Sequence, residues 1–171
     1  MLPLAWVKVG SRGEEWRIRS ESRLGSFYGA ERFSIDHKGR VAIPARLRRA
    51  LAPEARETFV VVPGFDGCLA LYPLDEWRRT EDRLRTLPPG DARARRFKRM
   101  LLVNAADVQV DAQGRVTLPA KLIERVGLKK EALLLGAVDH IEIWDPERFD
   151  AVAGEDEEGM SLEDLAKEYL G

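Results

Sequence analysis

Only one cysteine, Cys68, occurs in the 171 residues, so no disulfide can form within the chain, as suits a reducing cytosol. Histidine is almost as scarce, with His37 and His140 alone. No CxxC or HxxxH spacing exists, and neither a metal nor a cofactor is expected. A glycine-rich phosphate loop and a nucleophile–base set are also missing, so no catalytic residues and no enzyme are expected. No stretch of 18 apolar residues occurs, which argues against a transmembrane helix and a membrane partner. The opening MLPLAWVKVG has no basic residue before its apolar patch and no small-residue cleavage site after it, so no secretory signal is expected.

What is present is a soluble, globular composition, 44% apolar and 33% charged, enough for one or two small domains with a real core. The net charge of −1 hides a segregation. Five Lys/Arg stand against Asp36 over 36–49, a balance of +4. Nine stand against three acids over 78–99, a balance of +6, and 139–171 carries −10. Such segregation creates local fields that the total conceals. The alternative for 78–99 is a set of solvated helix faces.

The segment DHKGRVAIPARL (36–47) returns 75 residues later as DAQGRVTLPAKL (111–122). Around each copy the apolar residues alternate: Phe33, Ile35, Val41 and Ile43, then Val108, Val110, Val116 and Leu118. That period of two predicts two half-buried strands flanking a three-residue loop, with 33 facing 43 and 35 facing 41. Gly39 and Gly114 end the loops where a left-handed residue is needed, and Asp36 and Asp111 are read as shaping the turns. Pro44 and Pro119 open short helices, which Pro53 and Gly127 bound. FVVVPGFDGCLALY (59–72) and ALLLGAVDHIEIW (132–144) then match at a spacing of 72 as strand, turn, strand. Asp145 is a predicted helix cap. Cys68 and His140 fall at matching positions and are read as strand residues rather than a metal pair.

The predicted organisation is α+β, built from two tandem β-β-α-β-β repeats at 27–77 and 108–152. Helical stripes at Trp77, Leu84 and Leu87 and at Ala94, Phe97 and Leu101 predict a helical hairpin inserted at 78–107, with Asp91 as a cap. Trp77, Phe97 and Trp144 are expected in the core or a subunit interface, and His37 in a solvated loop. Residues 1–26 form an extension without clean periodicity, expected to be disordered. Residues 153–171 read as an acidic link followed by a short helix with a capping box at Ser161 and Asp164. Neither repeat can bury both faces of its strands alone. Two copies closing around one core would make a covalent pseudo-dimer.

The motif DxxGRVxIPxxLRR resembles the AbrB-type swapped-hairpin barrel. Two tandem copies, with GFDGCLALYPLDEW, DARARRFKR and DHIEIWDPERF in order, resemble the MraZ family over about 27–151. The resemblance implies a pseudo-two-fold AbrB-like β-barrel and a cytoplasmic, nucleoid-associated DNA-binding transcriptional regulator, mostly a repressor. It implies double-stranded DNA as partner, at repeated G-rich boxes upstream of the division and cell-wall gene cluster. It also implies a homo-oligomeric ring. Residues 1–25 lie outside it and are read as a start codon assigned too far upstream rather than a genuine arm. The alternative function is an oligomeric scaffold or antitoxin-like protein-binding module.

On that reading, Lys38 and Arg40 at the first loop and Arg46, Arg48 and Arg49 on the next helix contact DNA. Arg48 and Arg49 fall at the two arginines of the motif. Arginine pairs bidentately with guanine O6 and N7, while flanking cations neutralise phosphates. The second copy offers Gln113, Arg115 and Lys121, but Ile123 and Glu124 replace Arg48 and Arg49. Copy one is therefore expected to lead and copy two to support.

Overall fold

The computed structural model describes residues 6–9, 15–18, 26–154 and 162–170. Among them the strands are β1 (Trp6–Val9), β2 (Glu15–Ile18), β3 (Ala30–Ser34), β4 (Arg40–Ala42), β5 (Thr58–Pro63), β6 (Leu69–Pro73), β7 (Ala106–Gln109), β8 (Arg115–Thr117), β9 (Glu131–Gly136) and β10 (Ile141–Trp144). The helices are α1 (Ala45–Arg49), α2 (Leu74–Thr86), α3 (Ala92–Leu102), α4 (Ala120–Val126), α5 (Pro146–Gly154) and α6 (Leu162–Leu170). The chain is thus mixed α+β with an antiparallel sheet. In the N-terminal extension, where the sequence shows no periodicity, β1 and β2 pair antiparallel. The predicted box residue Ser161 lies outside the described residues.

The main sheet has six strands in the order β3-β9-β10-β6-β5-β7. Exchanging the two repeats turns β3 into β7, β9 into β5 and β10 into β6, and the order reads the same backwards. Across the middle, Ile141 faces Leu71 and Ile143 faces Leu69. Each repeat's edge strand lies against the other repeat's hairpin: β3 pairs with β9, and β7 with β5.

One expected pairing is corrected. The loop closes as predicted, with Ile35 opposite Val41, but the strands then part. Phe33 faces Ala132 rather than Ile43, and β4 pairs with β8 of the other repeat. The Ile43 N–H donates to Gly114 O and the Leu118 N–H to Gly39 O, each at 2.9 Å. A three-residue strand held only within its own hairpin would leave its outer edge of peptide groups unpaired. Crossing to the other copy satisfies them.

The crossing creates one core from both repeats. Val41, Ile43, Leu47, Phe59, Val61, Leu69 and Leu71 pack with Val116, Leu118, Leu122, Leu134, Ile141 and Ile143. Most are essentially inaccessible, and each such side chain contributes about 1.5–3 kcal/mol relative to exposure. Helices cover the other face of the sheet. Trp77 on α2, joined by Leu101 of α3, packs on Val60, Val62 and Ala70, while Phe149 of α5 packs on Trp144 beside Cys68 and Leu133. Trp77 and Trp144 are core residues; Phe97 is not, being 46% exposed. α2 runs unbroken from the end of β6, so the first helix of the insert and the last helix of repeat one are a single element. Asp91 and Asp145 cap α3 and α5 as expected, accepting from Arg93 N at 2.8 Å and Glu147 N at 3.1 Å.

Candidate nucleic-acid interface

The two repeat loops are built alike. Asp36 Oδ1 accepts from the Lys38 and Arg40 backbone N–H groups at 2.9 and 3.0 Å, and Oδ2 accepts from Arg40 Nε at 2.6 Å. Asp111 Oδ1 accepts from Gln113 N and Arg115 N, both at 2.9 Å, and Oδ2 accepts from Arg115 Nε at 3.0 Å. A short side chain with two acceptors can satisfy a turn's N–H groups in this way. The Arg40 backbone N–H, then its guanidinium and the Lys38 N–H, outweigh desolvation and hold the Asp36 carboxyl down at about 2. The Asp111 carboxyl is lowered in the same way, first by the Arg115 backbone N–H.

Gly39 and Gly114 take φ of +74° and +77°, the conformation the turn demands. Space demands glycine as well. A Cβ on Gly39 would lie 2.9 Å from Leu118 O and 3.0 Å from Ile123 Cδ1. One on Gly114 would lie 2.6 Å from Arg48 Cζ. Arg48 and Ile123 occupy matching repeat positions, and each lies over the other repeat's loop. The replacement of Arg48 by Ile123 in copy two therefore substitutes an apolar lid for a guanidinium lid.

Between the loops runs the β4–β8 ribbon, with Arg40 opposite Thr117, Val41 opposite Val116 and Ala42 opposite Arg115. Both valines are wholly buried, so alternation turns Arg40, Ala42, Arg115 and Thr117 to the other face. The two motif arginines, far apart in sequence, thus share one face of one ribbon. Each arginine donates from Nε to its own aspartate, at 2.6 Å for Arg40 and 3.0 Å for Arg115, and Arg115 Nη2 also lies 2.9 Å from Asp111 Oδ2. Thr117 was not singled out from sequence, although its spacing of two from Arg115 puts it on that face.

The remaining expected site residues divide. Lys38, Arg49, Gln113 and Lys121 are exposed, and among the described residues their side chains make no ion pair or hydrogen bond. Arg46 is half-buried; its Nη1 donates to Tyr28 O and its Nη2 lies 3.7 Å from Glu31 Oε2, which ties α1 to the start of β3. Arg48 is exposed but donates from Nε to Ile43 O at 3.1 Å. Neither tie was legible in sequence, because Tyr28 and the Gly114 loop are brought there only by the fold. Arg125, exposed on α4 and without an ion pair among the described residues, was also missed.

Part of the basic 78–99 block is spent within its own helix. Arg79 pairs with Glu76 at 2.5 Å, and Arg85 with Asp82 at 2.5 Å and Glu81 at 3.3 Å. Cys68 is buried, and burial followed by the Glu142 charge pushes its thiol up to about 12. His140 stacks on Tyr72 with ring centres 4.7 Å apart. Burial opposes its charge, but the Glu142 and Asp139 carboxylates prevail and raise its pKa. Among the described residues no three His, Cys, Asp or Glu side chains are grouped to hold a metal, and no helix is long and apolar enough to cross a membrane.

Comparison with known proteins agrees with the repeat. The family described as "MraZ protein, putative antitoxin-like" matches twice in tandem, over 26–100 and 101–170. A transcriptional regulator MraZ of Acetivibrio thermocellus is 40% identical over 141 residues, 82% of this chain and 94% of that protein. The proteins of the same name from Heliobacterium modesticaldum and Pseudomonas fluorescens are 44% and 39% identical, over 72% and 76% of this chain and 83% and 87% of theirs. These relatives are named as regulators of transcription. On the tandem match and these identities, the chain belongs to the MraZ family.

Proposed function

We propose that this chain is a sequence-specific DNA-binding repressor of transcription whose reading head is the outer face of the β4–β8 ribbon. The observation that carries the reading is the pairing of β4 with β8, which sets Arg40 and Arg115 on one face between two rigid loops. A two-stranded ribbon fits the major groove, where arginine recognises guanine. Lys38 on the first loop, Arg49 on α1 and Lys121 on α4 are exposed cations suited to phosphates. Asp36 and Asp111 orient Arg40 and Arg115 alike through Nε, and the denser cations around the first loop make Arg40 lead and Arg115 support. Arg46 and Arg48 act chiefly by holding α1 in place, and the phosphate role passes to Arg49.

The shared core is read as the swapped-hairpin, AbrB-like barrel, and the repeat order of the main sheet supports this. The operator is a set of repeated G-rich boxes upstream of the division and cell-wall genes, read by a homo-oligomeric ring in the cytoplasm on the nucleoid. One small barrel offers few contacts, and joining several barrels on several boxes raises effective concentration.

Fluorescence anisotropy with a duplex of repeated G-rich boxes, against a duplex of the same composition in scrambled order, tests the proposal. Tight, salt-sensitive binding that prefers the boxes is expected. Equal and weak binding to both duplexes would favour a protein-binding scaffold instead.

A further inference from the structure

Apart from Tyr28, Phe65, Val138 and Val152, the large apolar side chains that the described fold leaves exposed lie on or just past two helices of opposite charge. α3 has no buried residue. Phe97, Met100 and Val103, at spacings of three, are 46%, 54% and 69% exposed. Helical spacing carries them from Phe97, at the edge of the half-buried stripe of Ala94 and Leu101, round to Met100 and to Val103 just past the helix end, on the open side of α3. A shallow apolar depression of about 670 Å³, lined by Lys98, Arg99, Met100, Leu102 and Val103, continues that flank at the helix end. Around it the helix is basic, with Arg93, Arg95, Arg96, Lys98 and Arg99 in its sequence. Of these, Arg95 and Lys98 are tied to the carbonyls of Pro89 and Leu87.

α6 is the complement. Its sequence LEDLAKEYL carries Leu165, Ala166, Tyr169 and Leu170 at helical spacing and holds three acidic residues, Glu163, Asp164 and Glu168, against Lys167. Glu155, Asp156, Glu157 and Glu158 precede it. Tyr169 and Leu170 are 75% and 88% exposed. Neither helix covers the other within one chain, since both apolar surfaces stay open.

We propose that the acidic α6 of one copy docks on the basic, apolar flank of α3 of a second copy. Leucines and Tyr169 would lie against Phe97, Met100 and Val103, while the tail carboxylates meet Arg93, Arg96 and Arg99. The contact joins different surfaces on the two copies, so it propagates from copy to copy and closes into a ring when the rotation allows. This deepens the oligomeric part of the proposed function by naming its interface, and it is tested without DNA, so its failure leaves the reading of the β4–β8 ribbon untouched.

The experiment uses two full-length charge-reversal variants. One carries Arg93→Glu and Arg96→Glu on α3; the other carries Glu163→Lys, Asp164→Lys and Glu168→Lys on α6. Sedimentation velocity measures self-association, and circular dichroism confirms that both variants fold. In each variant alone, like charges meet, and association should weaken at least about tenfold. Mixed in equal amounts, the basic tail of one meets the acidic α3 of the other and the native tail meets the native α3. The mixture should therefore assemble as the unaltered protein does. Docking of α6 within its own chain predicts no recovery on mixing, and that result would overturn the proposal. So would an unaltered chain that stays monomeric, or either variant assembling alone as well as the unaltered chain.

Discussion

Val41 and Val116 stand opposite each other in the β4–β8 ladder, and both are wholly buried. They come from different repeats, so their contact is the point at which two half-structures become one core. Truncating either to alanine should cost about 1.5–3 kcal/mol of unfolding free energy. Residues in contact couple, so the double substitution should depart from the sum of the single ones. Urea unfolding followed by circular dichroism measures this. Two separate transitions, one per repeat, would contradict the shared core.

The loops give a pH signature. The Asp36 carboxyl is held down at about 2, from an ordinary 3.8, and Asp111 is shifted in the same direction. A lowered carboxylate contributes stability above its unfolded pKa and loses it as pH falls through the folded value. Melting temperature should therefore hold down to about pH 4 and fall between there and about pH 2. Asp36→Asn should flatten part of that fall, because the amide keeps an acceptor for the turn's N–H groups but lacks the charge. An unchanged acid limb in that variant would remove the loop's share.

Arg46 and Lys121 occupy corresponding positions in the two copies and should behave differently. Arg46→Ala should lower the melting temperature, because it frees Tyr28 O and loosens α1 from the start of β3. Lys121→Ala should leave melting unchanged and reduce the salt slope of duplex binding by about 1. The reverse pattern would exchange their roles.

Cys68 should not react with a water-soluble disulfide reagent at neutral pH until the protein unfolds. Burial keeps the thiol protonated and out of reach, with its pKa pushed up to about 12. Reaction at the rate of a free thiol in the native protein would contradict the packing of Cys68 beneath α5.

Much of this fold is written in local chemistry. Alternating valines and isoleucines mark the strands, Pro44 and Pro119 mark the entries to α1 and α4, and Asp91 and Asp145 cap where aspartate before a helix should. The loop aspartates and glycines were legible too, because turn chemistry depends on a few adjacent residues. The partner of β4 was not. Val41 alternates equally well beside its own repeat or beside the other, and two near-identical copies give the local pattern no means to choose. The anchoring of Arg46 and the seating of Arg48 on the Gly114 loop failed for the same reason, since both depend on neighbours from distant sequence. On α3 the stripe through Ala94, Phe97 and Leu101 divides: Leu101 packs on the cluster around Trp77, while Phe97 is open in the single chain, which leaves the interface half of its expected role.

The most direct test compares duplex binding by Arg40→Ala and Arg115→Ala with the unaltered chain, on a G-rich box and on one with its guanines replaced, at several salt concentrations. Arg40→Ala should lose about 1–3 kcal/mol of discrimination between the two boxes, and Arg115→Ala should lose less. If both variants bind and discriminate as the unaltered chain does at every salt concentration, the β4–β8 ribbon does not read DNA.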